Sequence, residues 1–447
     1  MPSSFSLPAE PTPAGAWPSL TESKQARFAA IILLYFTQGV PVGLALIAIP
    51  AWLAANGATP VTVGTFVGIA VLPWSLKLFG GLLMDRFTFR PMGRRRAWIM
   101  IAQILMATTL VAFAVAAPSA DEVSLLMALC FLLNVCAVLN DVATDGMTVD
   151  LVPHEERTTI NGFMFSAQWL GIAVAGAVAG RFLASGQIAL VGLLLAALVV
   201  GVSVFVALFR ERPGECLMPW SVGQASPECE ARQQEAWWPI FKGISRGLFV
   251  PATLFFLLAS ALSQATYAFT DAVSPTLAVQ QLGWSSDGYS NFASMSGFIL
   301  GVAGALTAPV LVKTIGLRWS MVCVTLALIA CAAFAGLSYT SWQDTTTFKV
   351  IFSAQLFFAT TIQVVSIVWA MRICDPAVAA SLFAMFMAVP NFGRSAMSGW
   401  SGLVVEEFGY DGAYFYVAAI SLVSIVFFLL GRFGDERLVN APQSKTN

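Results

Sequence analysis

Charged residues are scarce in this chain, and their scarcity limits the class of protein it can be. Only 11% of its 447 residues are charged, whereas 58% are hydrophobic. Soluble domains carry about 25% charged and about 45–50% apolar residues. Polar surface would run out before a soluble fold could cover so much apolar surface, so lipid must cover part of it. The net charge of -1 provides no basic field for a nucleic-acid partner.

The sequence also lacks the patterns of a metal site, a disulfide framework and a cleaved signal peptide. Its seven cysteines show no metal-ligand spacing, so we expect free thiols and no cofactor. The single histidine, His154, lies in a charged turn, where an ordinary solvated side chain is expected. Residues 1–26 contain many Pro, Ser and Ala residues and no apolar core, which predicts a disordered tail instead of a signal peptide.

Long apolar runs are what the sequence has in abundance. A helix that crosses a bilayer needs about 20 mainly apolar residues. Twelve segments meet this requirement: 27–54, 61–84, 97–117, 122–150, 158–183, 187–209, 248–278, 288–312, 318–340, 348–371, 378–406 and 411–433. The pattern predicts an all-α membrane protein with twelve transmembrane helices.

One long polar break divides these spans six and six. It predicts an N-terminal bundle at 27–209, a cytoplasmic central loop at 210–247, a C-terminal bundle at 248–433 and a tail at 434–447. Within the loop, the segment 237–241 has the sequence Trp-Trp-Pro-Ile-Phe, which favours a short helix at the membrane surface.

The distribution of cations predicts the orientation. With the N-terminus inside, nineteen of the 23 Lys and Arg residues fall in cytoplasmic segments. Cytoplasmic loops of membrane proteins carry such an excess. We therefore expect both termini in the cytoplasm, in a multi-pass monomer of the cytoplasmic (inner) membrane.

The two halves of the chain repeat a pattern. Asp150 leads to Gly171 over the same interval that separates Arg372 from Gly393, and each interval carries similar aromatic and small residues. Parallel six-helix repeats place a substrate between the halves near mid-membrane. The repeat predicts two pseudo-symmetric bundles and a small-molecule substrate.

Five charged residues are predicted to lie deep in the membrane, where each costs at least about 2.5–3.5 kcal/mol and usually has a function. They are Lys77, Asp141, Asp145, Asp271 and Arg394.

Lys77 and Asp141 are predicted to form an ion pair between spans two and four. Lys77 precedes Asp85 by eight residues and so lies about 12 Å deeper, at 1.5 Å per residue; Asp141 reaches a similar depth. Asp145 lies one turn away on the same face, as a candidate gate residue with no sure partner. Either a carboxylate takes up a proton during transport, or the pair is a permanent structural one.

A polar stripe on span seven contains Gln264, Tyr267 and Asp271. It lines a cavity or packs against another helix. Arg394 binds an anionic substrate group or pairs with Asp271. Weaker candidates for substrate contact, with hydrogen bonding between helices as the alternative, are Tyr35, Gln38, Gln168, Trp169 and Gln363. Residues 35–41 are also expected to break the first helix locally.

The loop after span two is a candidate cytoplasmic gate. Asp85 can hold a neighbouring helix N-terminus in one state and release it in another. The arginines at 94–96 can grip acidic groups or lipid headgroups, although simple anchoring on the inside also explains them. The predicted gate residues are Asp85, Arg86, Arg94, Arg95, Arg96, Asp150, Arg157 and Arg372.

Several motifs occur in order along most of the chain. They are Gln38-Gly39-Val40-Pro41, Trp74-Ser75-Leu76-Lys77 before Met84-Asp85-Arg86, Gly93-Arg94-Arg95-Arg96-x-Trp98, Asn140-Asp141-x3-Asp145-x4-Asp150, Pro153 through Glu156-Arg157, Thr270-Asp271-Ala272 and Phe392-Gly393-Arg394. In these motifs the chain resembles the AmpG-type branch of the major facilitators, which includes muropeptide permeases, acetyl-CoA transporters and some siderophore permeases.

The resemblance implies a proton-driven importer of an anionic or amphiphilic solute, such as a muropeptide, a siderophore or a CoA-type conjugate. Muropeptide permeases have Tyr-Arg-Leu-Gly in span five, where this chain has Gln168-Trp169-Leu170-Gly171. The chain also lacks the two extra spans that some of them carry. The substrate within the branch stays open.

The sequence leaves three alternatives to a symporter. One is a proton-independent facilitator of the same fold. Another is a membrane enzyme in which Asp141, Asp145 and Asp150 hold a divalent cation; a nearby Lys77 and the lack of a nucleophile–base set argue against it. The last is a transporter-like sensor that signals through the loop 210–247. We expect a transporter and not an enzyme.

Overall fold

The computed structural model describes residues 19–231, 251–342, 345–373 and 379–430. Within these ranges every regular element is helical. The predicted surface helix at 237–241, residues 1–18 of the predicted tail 1–26 and all of the predicted tail 434–447 lie outside the described residues. The rest of the first tail is ordered, because Ser19 and Leu20 are buried and a helix begins at Lys24. The prediction of an all-helical membrane protein is confirmed, because ten helices of the described chain are long and apolar enough to cross a bilayer.

The helices follow the predicted spans to within a few residues at most ends. In the first half they are α1 (Lys24–Ala55), α2 (60–86), α3 (Arg96–Ala116), α4 (Val123–Leu151), α5 (Arg157–Ala184) and α6 (Ile188–Ala207). In the second half they are α7 (Thr253–Gln281), α8 (Ser286–Ile315), α9 (Leu317–Ser338), α10 (Thr345–Ile373), α11 (379–408) and α12 (410–430).

Two differences separate the ten apolar helices from the twelve predicted spans. The continuous helical stretch Ala379–Leu430 contains Gly409, whose φ of 74° is not helical and separates α11 from α12. A residue with a side chain would be strained in that conformation. The apolar part of α2 covers only Pro60–Leu76, which is short for a span. The number of twelve membrane crossings therefore stays a prediction.

Irregular backbone occurs in α1, α2 and α7, the last of which contains a π-helix at Leu277–Gln281. In α1 the helix continues through Pro41 and becomes a π-helix at Leu44–Ala48, so the irregularity lies beyond the predicted 35–41 segment. In α2 a 3₁₀ segment, Leu72–Leu76, contains Pro73 and ends just before Lys77. Proline removes a backbone donor, and non-helical backbone is tolerated at membrane depth where it is buried in protein or lines a cavity.

The two sets of helices, α1–α6 and α7–α12, meet along two seams of small residues. Between α2 and α11, Ser395 Oγ donates to the carbonyl oxygen of Gly68 at 2.6 Å. Between α5 and α8, a Cβ added to Gly176 would lie 2.5 Å from Ser294 Oγ. Small residues of this kind let helix backbones approach closely in membranes.

The seams lie toward one end of the bundle. We call the end that carries the loops 87–95, 152–156 and 208–226 the basic face, and the end that carries the loops 56–59, 185–187 and 282–285 the opposite face. At the opposite face, Gln280 Nε2 donates to the carbonyl oxygens of Ala54 and Ala58, each at 2.9 Å. The two sets of helices are thus joined there across the opposite face.

Candidate functional site

A cavity of about 340 Å³ lies between the two sets of helices. Helices α1, α2, α4 and α5 line one side of it, and α7, α8, α10 and α11 line the other. On α5 it is lined by Gln168, whereas the seam residue Gly176 lies further from the basic face. Its size falls within the range of small-molecule sites. The lining of the cavity extends to Tyr289 in the first turn of α8, and the Gln280 contacts join the two sets of helices at the opposite face.

Most of the predicted substrate-contact residues line this cavity. They are Tyr35, Gln168, Trp169, Gln264, Tyr267, Asp271, Gln363 and Arg394, together with Lys77 and Asp141 of the predicted ion pair. Gln38 is not among the lining residues. Its side chain is fully buried, and its amide donates a hydrogen bond to Oδ1 of Asp141, which does line the cavity.

Lys77 and two aspartates form a cluster at the cavity wall. The ammonium of Lys77 pairs with Asp141 Oδ2 and lies 3.1 Å from Asp145 Oδ2. Tyr35 donates its hydroxyl hydrogen to Asp145 Oδ1. Asp145, for which sequence gave no sure partner, therefore has two. With one cation and two carboxylates, the ionised cluster carries one net negative charge, which a single proton would neutralise.

Arg394 and Asp271 form the second charged group of the cavity. Asp271 Oδ2 accepts from Arg394 Nε at 2.7 Å and lies 2.5 Å from Nη2. The guanidinium carbon lies 4.9 Å from the ring centre of Tyr267, within the range of a cation–π contact. The Tyr267 hydroxyl bonds with Thr360 Oγ1 at 2.8 Å. This pair is neutral, so an anionic substrate would have to compete with Asp271 for the arginine.

Three amides lining the cavity have no hydrogen-bond partner among the described residues. They belong to Gln168 on α5, Gln264 on α7 and Gln363 on α10. Each amide offers one acceptor and two donor hydrogens. Buried polar groups are normally bonded, so these amides are available to a polar solute or to water.

Several residues that line the cavity were not predicted from the sequence. Ser366 lies one helical turn from Gln363, and its buried hydroxyl lacks a partner among the described residues. The three-residue spacing on α10 was a signal that could have revealed it. Aromatic rings that also line the cavity are Trp74, Phe165, Phe256, Tyr289, Phe352 and Phe386. Their positions in uniformly apolar helices gave no signal.

Trp169 packs across the boundary between the two sets of helices. A Cβ added to Gly301 of α8 would lie 2.6 Å from Cδ2 and from Cε2 of its indole, and one added to Gly297 would lie 3.3 Å from its Cζ3. The indole thus occupies a groove that two glycines leave open, at the edge of the cavity.

The predicted gate residues cluster at the basic face of the first half. Nη1 of Arg94 and Nε of Arg95 each lie 3.6 Å from Asp150 Oδ2. Arg157 donates to the carbonyl oxygens of Val149 and Val152 at the end of α4, at 2.9 and 3.2 Å. Arg86 is exposed. The side chains of Asp85 and Arg372 lie outside the described part of the chain.

Arg96 differs from the prediction that it grips acidic groups or lipid headgroups. Its side chain is fully buried and donates to the carbonyl oxygens of Ala207, Cys216 and Leu217. Carbonyl oxygens at the end of α6 have no partner within their own helix, which is why a buried guanidinium satisfies them here. Arg96 therefore ties α3 to the chain that follows α6.

Two glutamates of that following segment were also missed. Glu211 accepts backbone hydrogen bonds from residues 94–96, and Glu215 accepts from Arg212 N at 3.0 Å and from Ser226 Oγ at 2.8 Å. Burial, together with the nearby charge of Glu211, raises the pKa of Glu215 to about 7. Residues 210–226 are therefore a packed part of the basic face.

The helices, the central cavity and its charged groups are those of a secondary transporter, and sequence comparison identifies the family. The chain belongs to the Major Facilitator Superfamily, whose family model matches residues 31–341.

Its relatives include permeases and transporters. The anhydromuropeptide permease of Escherichia coli K12 is 23% identical over 427 residues, which cover 92% of this chain and 80% of the relative. The folate-biopterin transporter of Synechocystis is 24% identical over 444 residues, covering 94% and 84%. The resemblance to muropeptide permeases that the motifs indicated is thereby confirmed, and the chain is a transporter and not an enzyme.

Solved structures share the fold. A D-xylose-proton symporter superimposes with a TM-score of 0.70 at 15% identity, over 92% of this chain and 98% of the symporter. The nucleoside transporter NupG gives 0.68 at 15% identity, over 90% and 98%. These structures support the fold alone, because their sequences are too distant to transfer a substrate.

Proposed function

We propose that this protein is a proton-coupled symporter that imports an anionic or amphiphilic solute across the cytoplasmic membrane. In this proposal twelve helices cross the bilayer, six in each of two bundles at 27–209 and 248–433, with both termini in the cytoplasm. The basic face is then the cytoplasmic face. The observation that carries the proposal is the cluster of Lys77, Asp141 and Asp145 on the wall of the cavity.

The cluster has the composition that proton coupling needs. Its two carboxylates share one ammonium, so at least one of them is incompletely neutralised when both are ionised. A charge at membrane depth is costly, and a proton removes that cost. Uptake of a proton by Asp141 or Asp145 would free Lys77 from one partner and change the charge of the first half.

The second charged group supplies the substrate specificity in this proposal. Arg394 presents a planar guanidinium to the cavity and binds a carboxylate or phosphate of the solute when Asp271 is displaced. The free amides of Gln168, Gln264 and Gln363 bind polar groups of the solute, and the aromatic walls bind its apolar part. Muropeptides, siderophores, CoA-type conjugates and pterins fit this mixture of groups, and the names of two relatives mention the first and last of these.

Transport in proteoliposomes tests the coupling. Accumulation of a solute found by a thermal-shift screen of those four classes should depend on an inward proton gradient. A protonophore should abolish accumulation by the unaltered protein. Asp141→Asn should lose accumulation but keep exchange of labelled for unlabelled solute, because exchange needs no net proton movement.

Asp121→Asn provides the matched control, since this exposed aspartate lies in the α3–α4 loop, away from the cavity. It should behave as the unaltered protein. Uptake that a protonophore leaves unchanged would make the protein a facilitator instead. Solute stabilisation that survives both Arg394→Ala and Asp271→Asn would contradict the proposed binding site.

A further inference from the structure

Glu211 is a fully buried carboxylate in the segment that joins the two halves of the chain. Its Oε1 accepts a hydrogen bond from the backbone N–H of Arg94 at 3.3 Å. Its Oε2 accepts from the N–H groups of Arg95 and Arg96 at 3.1 and 3.2 Å. These are the amides at the start of α3, which lack partners inside their own helix. A carboxylate at this position also interacts favourably with the helix dipole.

The loop before α3 is shaped to admit this carboxylate. Gly93 has a φ of 96°, and a Cβ there would lie 2.5 Å from Glu211 Oε2 and 2.8 Å from its Cδ. Arg212 Nη1 adds a contact with Oε1 at 3.1 Å. Glu211 thus fills a site built from backbone amides, with one guanidinium beside it.

The same loop carries the two arginines that reach toward α4. Arg94 and Arg95 approach Asp150, and the Arg95 side chain also lies against Gly146, where a Cβ would meet its Nε at 2.5 Å. Because Glu211 binds the backbone N–H groups of both arginines, it fixes the backbone positions from which their side chains extend toward Asp150. The contact joins the α2–α3 loop to the segment after α6, next to α4.

We infer that Glu211 is a positioning residue for the gate. It fixes the loop before α3 so that Arg94 and Arg95 contact Asp150. It thereby couples the segment between the two halves to the opening of the basic face. The inference rests on the proposed function, in which the basic face is the cytoplasmic face, and on the prediction from the sequence that these residues form its gate. Glu211 acts through the arginines and is not among the residues that line the cavity.

Glu215 provides a comparison within the same segment. It is as buried as Glu211, at 1% exposure against 0%, but its hydrogen bonds go to Arg212 and Ser226. A general effect of a buried acid on folding would appear in both positions. A specific effect on the gate arginines would appear at Glu211 alone.

Hydrogen exchange tests the contact itself. In purified full-length protein, Glu211→Gln keeps the size of the side chain but removes its charge and one of its acceptor oxygens. We expect the amides of Arg94, Arg95 and Arg96 to exchange at least about tenfold faster, as expected when a hydrogen bond to a charged group is lost. Glu215→Gln and the exposed Glu230→Gln should not accelerate the exchange of these three amides.

Distances between spin labels test the coupling to the gate. Labels at His154→Cys and Thr314→Cys, two exposed positions on the basic face, report the separation of the halves. Glu211→Gln and Asp150→Asn should each shift the ratio of long to short distances in the same direction. If Glu211 acts through the arginines, the double variant should shift the ratio no further than the larger single change.

A shift in the double variant equal to the sum of the two single shifts would overturn the inference, because Glu211 would then act independently of Asp150. Unchanged distances in a Glu211→Gln variant that folds normally would overturn it as well. Both measurements need neither solute nor a proton gradient. Loss of proton dependence in the transport assay, with these shifts intact, would therefore contradict the proposed function and not the role of Glu211.

Discussion

The guanidinium of Arg394 and the carboxylate of Asp271 form an ion pair at the cavity that joins α11 to α7 in the second half. Nε and Nη2 of the arginine both approach the same oxygen, Oδ2, at 2.7 and 2.5 Å. Oδ1 is left for another donor. In the first half, Lys77 and Asp141 join α2 to α4 at the same cavity. A solute bound between the halves thus meets one ion pair from each.

Removal of one partner from the Arg394–Asp271 pair should destabilise the protein strongly. Arg394→Gln leaves a buried carboxylate without its cation, for which the expected loss is about 3–5 kcal/mol. The double variant Arg394→Gln with Asp271→Asn should recover most of this loss, since no unpaired charge remains. Thermal denaturation in detergent measures both.

The control for this prediction is the pair of the exposed Arg181 and the half-buried Asp287, whose Nη1 and Oδ2 atoms lie 3.7 Å apart. Arg181→Gln should change stability by no more than about 1 kcal/mol. If the double variant at 394 and 271 regains stability but no longer responds to solute, the pair serves binding. A double variant as unstable as Arg394→Gln alone would show that the unpaired carboxylate of Asp271 is not the cause of the instability.

The seam between α2 and α11 should be sensitive to a single methyl group. A Cβ on Gly402 would lie 2.7 Å from the carbonyl carbon of Pro60, so Gly402→Ala should prevent close approach of the two helices. Overpacking of this kind costs about 1–3 kcal/mol. We expect the opposite face to open and a thiol at Ala293→Cys, on the cavity wall, to react about tenfold faster with a maleimide added from that face.

Gly399 provides the control on the same helix, because a Cβ there meets nothing within 4 Å. Gly399→Ala should react at the rate of the parent Ala293→Cys variant. Equal rates for Gly402→Ala and Gly399→Ala would mean that the seam does not seal the opposite face.

The groove that holds Trp169 should control the shape of the cavity. Gly301→Val would push the indole toward the cavity, and solute-induced thermal stabilisation should fall by at least half. Gly297→Ala should have a smaller effect, since the added Cβ would lie 3.3 Å from the ring instead of 2.6 Å. Trp169→Leu combined with Gly301→Val should restore the response. Failure to restore it would place the defect in α8 packing and not in the position of the indole.

The depth of a polar side chain in the membrane could be predicted from the sequence. The side of the helix on which it lies could be predicted only in part. A rise of 1.5 Å per residue brought Lys77 level with Asp141, and the two side chains meet. For Arg394 the sequence left two alternatives, an anionic substrate group or Asp271, and the structure places Asp271 beside it. The sequence could not show that Gln38 turns behind Asp141, because apolar residues surround the first helix on every side and leave no clear polar face.

Contacts made by irregular segments escaped prediction for a different reason. Glu211 lies in a polar stretch, Arg-Glu-Arg-Pro, which has the composition of a solvated loop. Its role depends on the backbone amides of residues 94–96. Because nearly every residue has a backbone N–H group, the spacing of side chains does not indicate which of these groups Glu211 binds. The helix ends could be predicted to within a few residues because the change from apolar to polar residues marks them.

Glu215 should make the docking of the segment after α6 depend on pH. Burial and the neighbouring Glu211 raise its pKa from 4.5 to about 7, so between these values the docked segment binds more protons than the undocked one. Docking should therefore weaken as pH rises through this window and level off above it, by on the order of 3 kcal/mol in total. Exchange of amides 211–226, corrected for intrinsic rates at pH 5.5, 6.5 and 7.5, measures the effect. Glu215→Gln should remove the dependence and Glu230→Gln should keep it; the same slope in both would assign the titration to another group.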